Sequence, residues 1–315
     1  MTGEKSKQRQ PWARTVALSL AGFVLLGILV WLVNPARVAS VLRNANPGWI
    51  GLTLVGVIVA TLLGAINSYL ISAVNSGVKF GAFLGAYWSA WAFGQVVPGQ
   101  VGDLIGISLF LRRRGLGLPM AVGRLGVDKI ISLFCTFALS GLLIVIFDEP
   151  VPRIAGVLGV LAACGLLAAY FFSLRWSELP VNGHGLRNQF MHTLHEAHVV
   201  IETRPFIIAA NLALTLLKLA VIGFCYWTTF RAFQAAALTP IEATVVANSA
   251  GLVAYLPISA NGVGTVEAGG IYLFGLLGVA PSVVIASYLT LRAVNLALAF
   301  GGTILVLLLS ATLRR

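Results

Sequence analysis

Among the ionisable residues inside long apolar runs or at their edges, six could act together: Asp103, Asp128 and Glu267, with Arg124, Lys129 and Arg292. An ionised group in hydrocarbon costs roughly 2.5 to 3.5 kcal/mol on insertion scales, so these side chains are expected to face the protein interior and one another. Three chemistries fit them. Asp103 and Glu267 could cap the helices they open, or bind Arg and Lys simply to hold a bundle together. Arg124, Lys129 and Arg292, with Ser259 and Asn261 beside them and backbone N–H groups freed in the loops 98 to 103 and 257 to 267, could hold a lipid phosphate. Asp103 with Asp128 could form a two-aspartate site that activates water, as in an intramembrane protease. That last pattern is poor: Gly99-Gln-Val-Gly102-Asp103 is not a tight Gly-x-Gly-Asp, and no His lies in an apolar run to partner Ser108 or Ser259. Catalysis is therefore not expected.

The elements that must position these residues are membrane helices. With 58% apolar residues, 10% charged residues and a mean hydropathy of +0.93 over 315 residues, the chain cannot hide its apolar side chains in one soluble core. Several runs approach the roughly 20 apolar residues that cross about 30 Å of hydrocarbon as a helix. Apolar runs between breaks give eight spans, near 15 to 33, 48 to 74, 80 to 96, 121 to 147, 154 to 173, 206 to 230, 241 to 256 and 283 to 311. Two more apolar stretches, 103 to 111 and 267 to 277, are too short to cross. Each follows a Pro/Gly-broken loop, Pro98, Gly99 and Gly102 in the first and Pro257, Gly262 and Gly264 in the second, and reads as a re-entrant half-helix.

Between the spans, residues 174 to 205 form the one long polar connection. Leu186, Phe190, Leu194, Ala197 and Ile201 recur there at helical spacing opposite Arg187, His192, His195 and Glu196, which fits an amphipathic helix on the membrane surface. All four histidines lie in this loop. The spacing of His195 and His198 permits a metal only weakly, so a solvated helix face is the expected reading and no metal or other cofactor is assigned. Cys135, Cys164 and Cys225 each sit in an apolar run without paired spacing and read as packing residues. Gly262-Val-Gly264 lacks the rest of a dinucleotide loop, and no nucleotide-binding phosphate loop is present. Any transport would then be downhill or coupled to an ion gradient.

The net charge of +11 is set by topology rather than by nucleic acid, because the basic residues lie in short segments between apolar runs with no aromatic-basic stripe. Residues 1 to 14 are basic and precede a run too long for a signal-peptide core, so a retained anchor with a cytoplasmic N-terminus is expected. Thirteen Lys and Arg then fall on the cytoplasmic side, with Lys79, Arg112, Arg113, Arg114 and Arg204 among them, against Arg37, Arg43, Arg153 and Arg231 outside. The C-terminus comes out cytoplasmic as well.

The order of features repeats. Pro98 to Asp103, a half-helix, Gly115 to Pro119 and a long span opening with Arg124, Asp128 and Lys129 are matched by Pro257 to Glu267, a half-helix, Leu277 to Pro281 and a long span carrying Arg292. The repeats, about 48 to 147 and 206 to 311, are inverted if each half-helix completes a crossing with its loop and parallel if it returns to its starting side. Two small-xxx-small pairs, Gly81 with Gly85 and Gly102 with Gly106, suggest close helix packing.

At these motifs the sequence resembles the lysylphosphatidylglycerol synthase transmembrane family, also called flippase-like. The residues that carry the likeness are Val97-Pro98-Gly99-Gln-Val-Gly102-Asp103, Leu111 to Gly117 and Asp128-Lys129, then Leu256 to Ser259, Gly262 to Glu267, Leu277 to Val279 and Arg292. The resemblance implies an all-helical protein of a bacterial or archaeal inner membrane that moves a phospholipid or lipid-linked headgroup between leaflets, or that works as a scaffold beside lipid-modifying enzymes or glycosyltransferases. No soluble synthase domain follows Arg315, so charging a lipid with an amino acid is not expected. Gly106 stands where relatives often carry Arg.

Overall fold

A computed structural model describes residues 10–74, 76–95, 102–177, 186–235, 237–256, 259 and 261–312. Every regular element among them is helical: α1 Gln10–Leu32, α2 Pro35–Arg43, α3 Pro47–Ser72, α4 Phe80–Gly94, α5 Gly102–Arg113, α6 Leu118–Ser140, α7 Leu143–Ile146, α8 Pro150–Ser177, α9 Leu186–Thr203, α10 Pro205–Ala232, α11 Pro240–Gly251, a 3-10 turn Leu252–Tyr255, α12 Thr265–Leu276 and α13 Pro281–Thr312. The starts are written in the sequence. Proline occupies the first turn of α2, α3, α6, α10 and α11, where its missing N–H costs nothing. Asn46 caps α3 by accepting from Gly48 N at 2.9 Å, and Thr239 with Glu242 closes a capping box on α11.

Five helices are long and apolar enough to cross a bilayer: Pro47–Ser72, Leu118–Ile146, Pro150–Phe172, Pro205–Ala232 and Pro281–Leu308. A sixth is reached if α1 and α2 count as one span, although they meet at 86° through Asn34, which has φ +76°, and Pro35. The two remaining spans expected from sequence, 80 to 96 and 241 to 256, form regular α-helix for only 15 and 12 residues. At 1.5 Å per residue these are about 22 and 18 Å long, short of the hydrocarbon thickness.

Both short helices turn back on themselves. Along the α4–α5 pair, Gly102 lies against Gly94 and Gly106 against Ala90, so α5 runs antiparallel to α4. In the α11–α12 pair, Gly262 lies against Ala254 and Gly269 against Ala250. Each pair is a helical hairpin whose tip is one of the two breaks. The hairpins enter from opposite ends of the bundle, because α3 and α10, which precede them, are antiparallel: Thr53 meets Thr228 at 2.8 Å, Gly56 meets Cys225, Gly64 meets Lys218, and Asn67 meets Thr215 at 2.9 Å. Long helices of the other half then cover each hairpin. α4 packs on α13, with Trp88 Nε1 donating to Leu298 O at 2.8 Å, and α11 packs on α6 and α7 around Leu139, Leu143 and Val246.

The helix α9 forms as expected but turns differently. It packs on α6, with Gly123 against the α9 backbone at Thr193 and Ala197. Phe190, expected on the apolar face, is 65% exposed, while His198, expected to be solvated, is 3% exposed beside Tyr170. The close fit at Gly123, where no side chain keeps the helices apart, sets this rotation. Of the small-residue pairs, Gly102 and Gly106 are both at close contacts, whereas Gly81 has nothing near it.

Gly106→Leu is expected to destabilise the protein by about 1 to 3 kcal/mol through overpacking against Ala90, and Gly81→Ala to be neutral or stabilising by about 0.5 to 1 kcal/mol. Thermal unfolding of the purified variants in detergent checks this; equal effects at the two positions would refute the close α4–α5 packing.

Candidate functional site

The second break is built by backbone conformations that favour glycine. After Tyr255 the chain reaches Asn261 at φ +45°, Gly262 at φ +68° and Gly264 at φ +82°, and α12 starts at Thr265. Glu267, on the first turn of α12 and fully buried, folds one carboxylate oxygen back to accept Gly264 N–H at 2.7 Å. The other oxygen accepts from Arg292 Nε on α13, and the Arg292 guanidinium also reaches Asn261 O at 3.4 Å. The first break repeats the plan. Asp103, on the first turn of α5, accepts from its own helix start at Leu104 N and from Lys129 Nζ on α6 at 2.5 Å. The two ion pairs close over 26 and 25 residues of chain.

The two tips meet. Asn261 Nδ2 donates to Gln95 Oε1 at 2.9 Å, joining the end of α4 to the loop before α12 across the middle of the bundle. Beside this contact lies a cavity of about 470 Å3, within the roughly 300 to 1,000 Å3 typical of small-molecule sites. Its wall includes Tyr87, Gln95, Asp103 and Lys129 from the first half and Lys218, Tyr255, Asn261 and Arg292 from the second, with Phe23 and Leu26 of α1 along one side. Lys129, Ser132 and Thr136 recur at helical spacing, so one face of α6 supplies them.

Charge in the wall is uneven. Asp103 is taken by Lys129, and Glu267, just behind the wall, by Arg292. Lys218, half-buried on α10, makes no ion pair within 4.0 Å among the described residues. The cavity thus presents one cation without a direct counter-charge, which favours an anion inside it.

The structure sorts the residues picked out by sequence. Lys129, Arg292, Asn261 and Asp103 line the cavity. Glu267 supports it from behind. Arg124 does not reach it: the side chain points toward the end of α3, with Ser72 O at 3.5 Å from Nη1. Asp128 turns away too, because the residue before Lys129 is rotated by 100° about α6, and its carboxylate is bound by Asn67, Ser68 and Asn211. Asp103 and Asp128 therefore have separate partners and no hydrogen bond between them, unlike a pair sharing one proton. Ser259 lies against Gly22 of α1 and contacts Thr265 Oγ1 at 3.4 Å, outside the cavity wall. Gly102 serves the hairpin contact, and Gly262 and Gly264 the second tip. Pro98, Gly99 and Pro257 lie outside the described residues. Gly106 has no space for a side chain, since even a Cβ would come within 2.7 Å of Ala90.

Sequence reasoning missed Lys218, Tyr87, Gln95 and Tyr255 as site residues. A signal for Lys218 existed: it is the one charged residue in the run 206 to 230, and a lone charge in a span is a functional candidate by default.

A helical membrane bundle with two broken hairpins meeting at a charged internal cavity defines a polytopic protein built around a buried polar chamber. Residues 16–302 match the family described as lysylphosphatidylglycerol synthase TM region, and the chain belongs to that family. No curated protein and no solved structure matches it. Membership links the chain to membrane lipid metabolism or transport.

Removing one partner of a buried ion pair leaves the other charge uncompensated, at a cost of about 3 to 5 kcal/mol. Glu267→Ala is expected to lose stability on that scale, and Asp103→Ala less, because the Lys129–Asp103 side chains remain 27% and 23% exposed. Thermal unfolding of both variants tests the ordering, which a costlier Asp103→Ala would reverse.

Proposed function

We propose that the protein moves an anionic phospholipid or lipid-linked headgroup between leaflets of the plasma (inner) membrane, as a flippase-like transporter without a catalytic step of its own. The observation that carries this reading is Lys218, beside Lys129 and Arg292, in the wall of a 470 Å3 cavity where the two hairpin tips meet. A phosphate entering there gains a cation that no carboxylate among the described residues holds directly, and donors from Tyr87, Tyr255 and Asn261 surround it. Family membership supplies the lipid context.

The two hairpins are read as re-entrant and the two halves as inverted repeats. Support comes from the antiparallel α3 and α10, from matched helix starts at 47, 80, 102 and 118 against 205, 240, 265 and 281, and from the exchange of partners in which α4 packs on α13 and α11 on α6. On this reading six spans frame two hairpins. The count of eight spans would require α4 and α11 to cross as well. The end bearing Lys79, Arg112 and Arg204 is assigned to the cytoplasm by its excess of basic residues, and the opposite end carries Arg231 over the rings of Trp49 and Trp227. Rocking one hairpin against the other would open the chamber to each leaflet in turn.

The test is reconstitution into liposomes carrying fluorescent phosphatidylglycerol or phosphatidylcholine. The parent protein is expected to move the anionic lipid faster, and Lys218→Met to slow it by about tenfold, the scale of one lost charge-assisted contact of about 1.4 kcal/mol. Inertness toward every lipid, alongside activity in a co-purified lipid-modifying enzyme, would overturn transport in favour of a scaffold.

A further inference from the structure

Asp128 is the membrane-embedded acid that the cavity does not use. Its Oδ1 accepts from Asn67 Nδ2 and Asn211 Nδ2, each at 3.0 Å, and its Oδ2 from Ser68 Oγ at 3.0 Å. Thr215 Oγ1 completes the group, 2.9 Å from Asn67 Nδ2. These five side chains come from α3, α6 and α10 and are all buried. Two features of the cluster are unexplained by packing. Asp103 and Glu267 each hold a cation, but Asp128 has none within 4.0 Å among the described residues. Asn67 and Asn211, 1% and 0% exposed, each leave Oδ1 without a hydrogen-bond partner.

We propose that Asp128, Asn67, Asn211, Ser68 and Thr215 form a binding site for a dehydrated monovalent cation of the Na+ class. The nitrogen and oxygen of an amide are nearly the same size, so a half-turn of both Asn side chains costs little in packing. That turn brings two carbonyl oxygens toward the carboxylate, with the Ser68 and Thr215 hydroxyls alongside. Five oxygens then face one point, a donor set that suits a hard cation and would repel itself without one. A single carboxylate balances one positive charge; a divalent ion would leave net charge in the membrane interior. A proton satisfies the carboxylate but cannot partner both amide oxygens.

Position links this site to the chamber. Ser132 lies one turn beyond Asp128 on α6, and Lys218 one turn beyond Thr215 on α10, and both line the cavity. Toward the α9 end an apolar cluster of Ile71, Val127 and Val200 covers the site. The charged groups around it are Lys218 on α10, Lys129 and Arg124 on α6, and Asp103 across Lys129. Of Asp103, Asp128 and Glu267, the first and last are held in ion pairs, which leaves Asp128 to offset Lys218. A bound cation cancels that offset and strengthens the hold of Lys218 on an anion, so the two ligands favour each other. This coupling rests on the transport reading; the cation site does not.

Thermal unfolding of the full-length protein in detergent, without added lipid, tests the site in NaCl, KCl or choline chloride at fixed ionic strength and pH. Na+ is expected to raise the midpoint saturably over choline. Asp128→Asn should abolish the rise, Asn211→Ala should increase the half-saturating Na+ concentration about tenfold or more, and Cys164→Ala, remote on α8, should respond like the parent. Equal midpoints in all three salts, or a full Na+ response in Asp128→Asn, would overturn the site. So would a response to pH with none to Na+. Where Asp128→Asn cannot be purified, an unaltered Na+ response in Asn211→Ala overturns it. Lost lipid movement with an intact Na+ response counts against transport alone.

Discussion

Charge in hydrocarbon has to be answered by charge, and this bundle answers it twice in the same way. An acid on the first turn of a short helix is held by a base on the long helix that follows, Asp103 by Lys129 and Glu267 by Arg292. Each pair ties a hairpin to a spanning helix and so fixes how deep its tip sits. Once both depths are fixed, the tips can touch, and Gln95 bonds Asn261. The cavity follows from that contact. Two helical hairpins of 12 to 15 residues per arm, entering from opposite ends, leave polar backbone and side chains where a continuous helix would have left a sealed apolar core.

Stability and function draw on different residues within this frame. Glu267 is fully buried and satisfied on both oxygens, by Gly264 N–H and by Arg292, so its role is to hold the tip. Lys218 is held by no carboxylate among the described residues and faces the chamber. The antiparallel α3 and α10 carry both kinds of residue along one seam, from the Thr53–Thr228 contact at one end to Asn67 and Thr215 at the other. Thr215, which meets Asn67 at that end of the seam, lies one turn from Lys218 on α10.

Much of this was legible in the sequence. The long apolar runs marked the five spans to within a few residues, because apolar length is set by membrane thickness and needs no tertiary information. Proline, glycine and acid in the same order marked both breaks, and the bases on the long spans that follow, Arg124, Lys129 and Arg292, held both partners without showing which base each acid takes. Other features depended on helix rotation, which a run of uniformly apolar residues does not encode. Asp128 and Lys129 are neighbours in sequence yet face different helices, and Arg124 shares the Asp128 side rather than the cavity side. Phe190 and His198 exchanged their expected environments for the same reason, since a glycine contact at Gly123 set the rotation of α9. Lys218 was visible as a lone charge, but only the crossing of α3 and α10 shows that it shares a chamber with Arg292.

The transport reading requires residues 95 and 261, 166 positions apart in the chain, to touch within the membrane. The direct measurement is oxidative cross-linking in native membranes of a double-cysteine protein, Gln95→Cys with Asn261→Cys, in a background where Cys135, Cys164 and Cys225 are replaced by Ala. Rapid, near-complete disulfide formation is the expected result, with none in either single variant. Absence of the cross-link in protein that is folded and membrane-inserted would contradict the meeting of the tips, and with it the chamber.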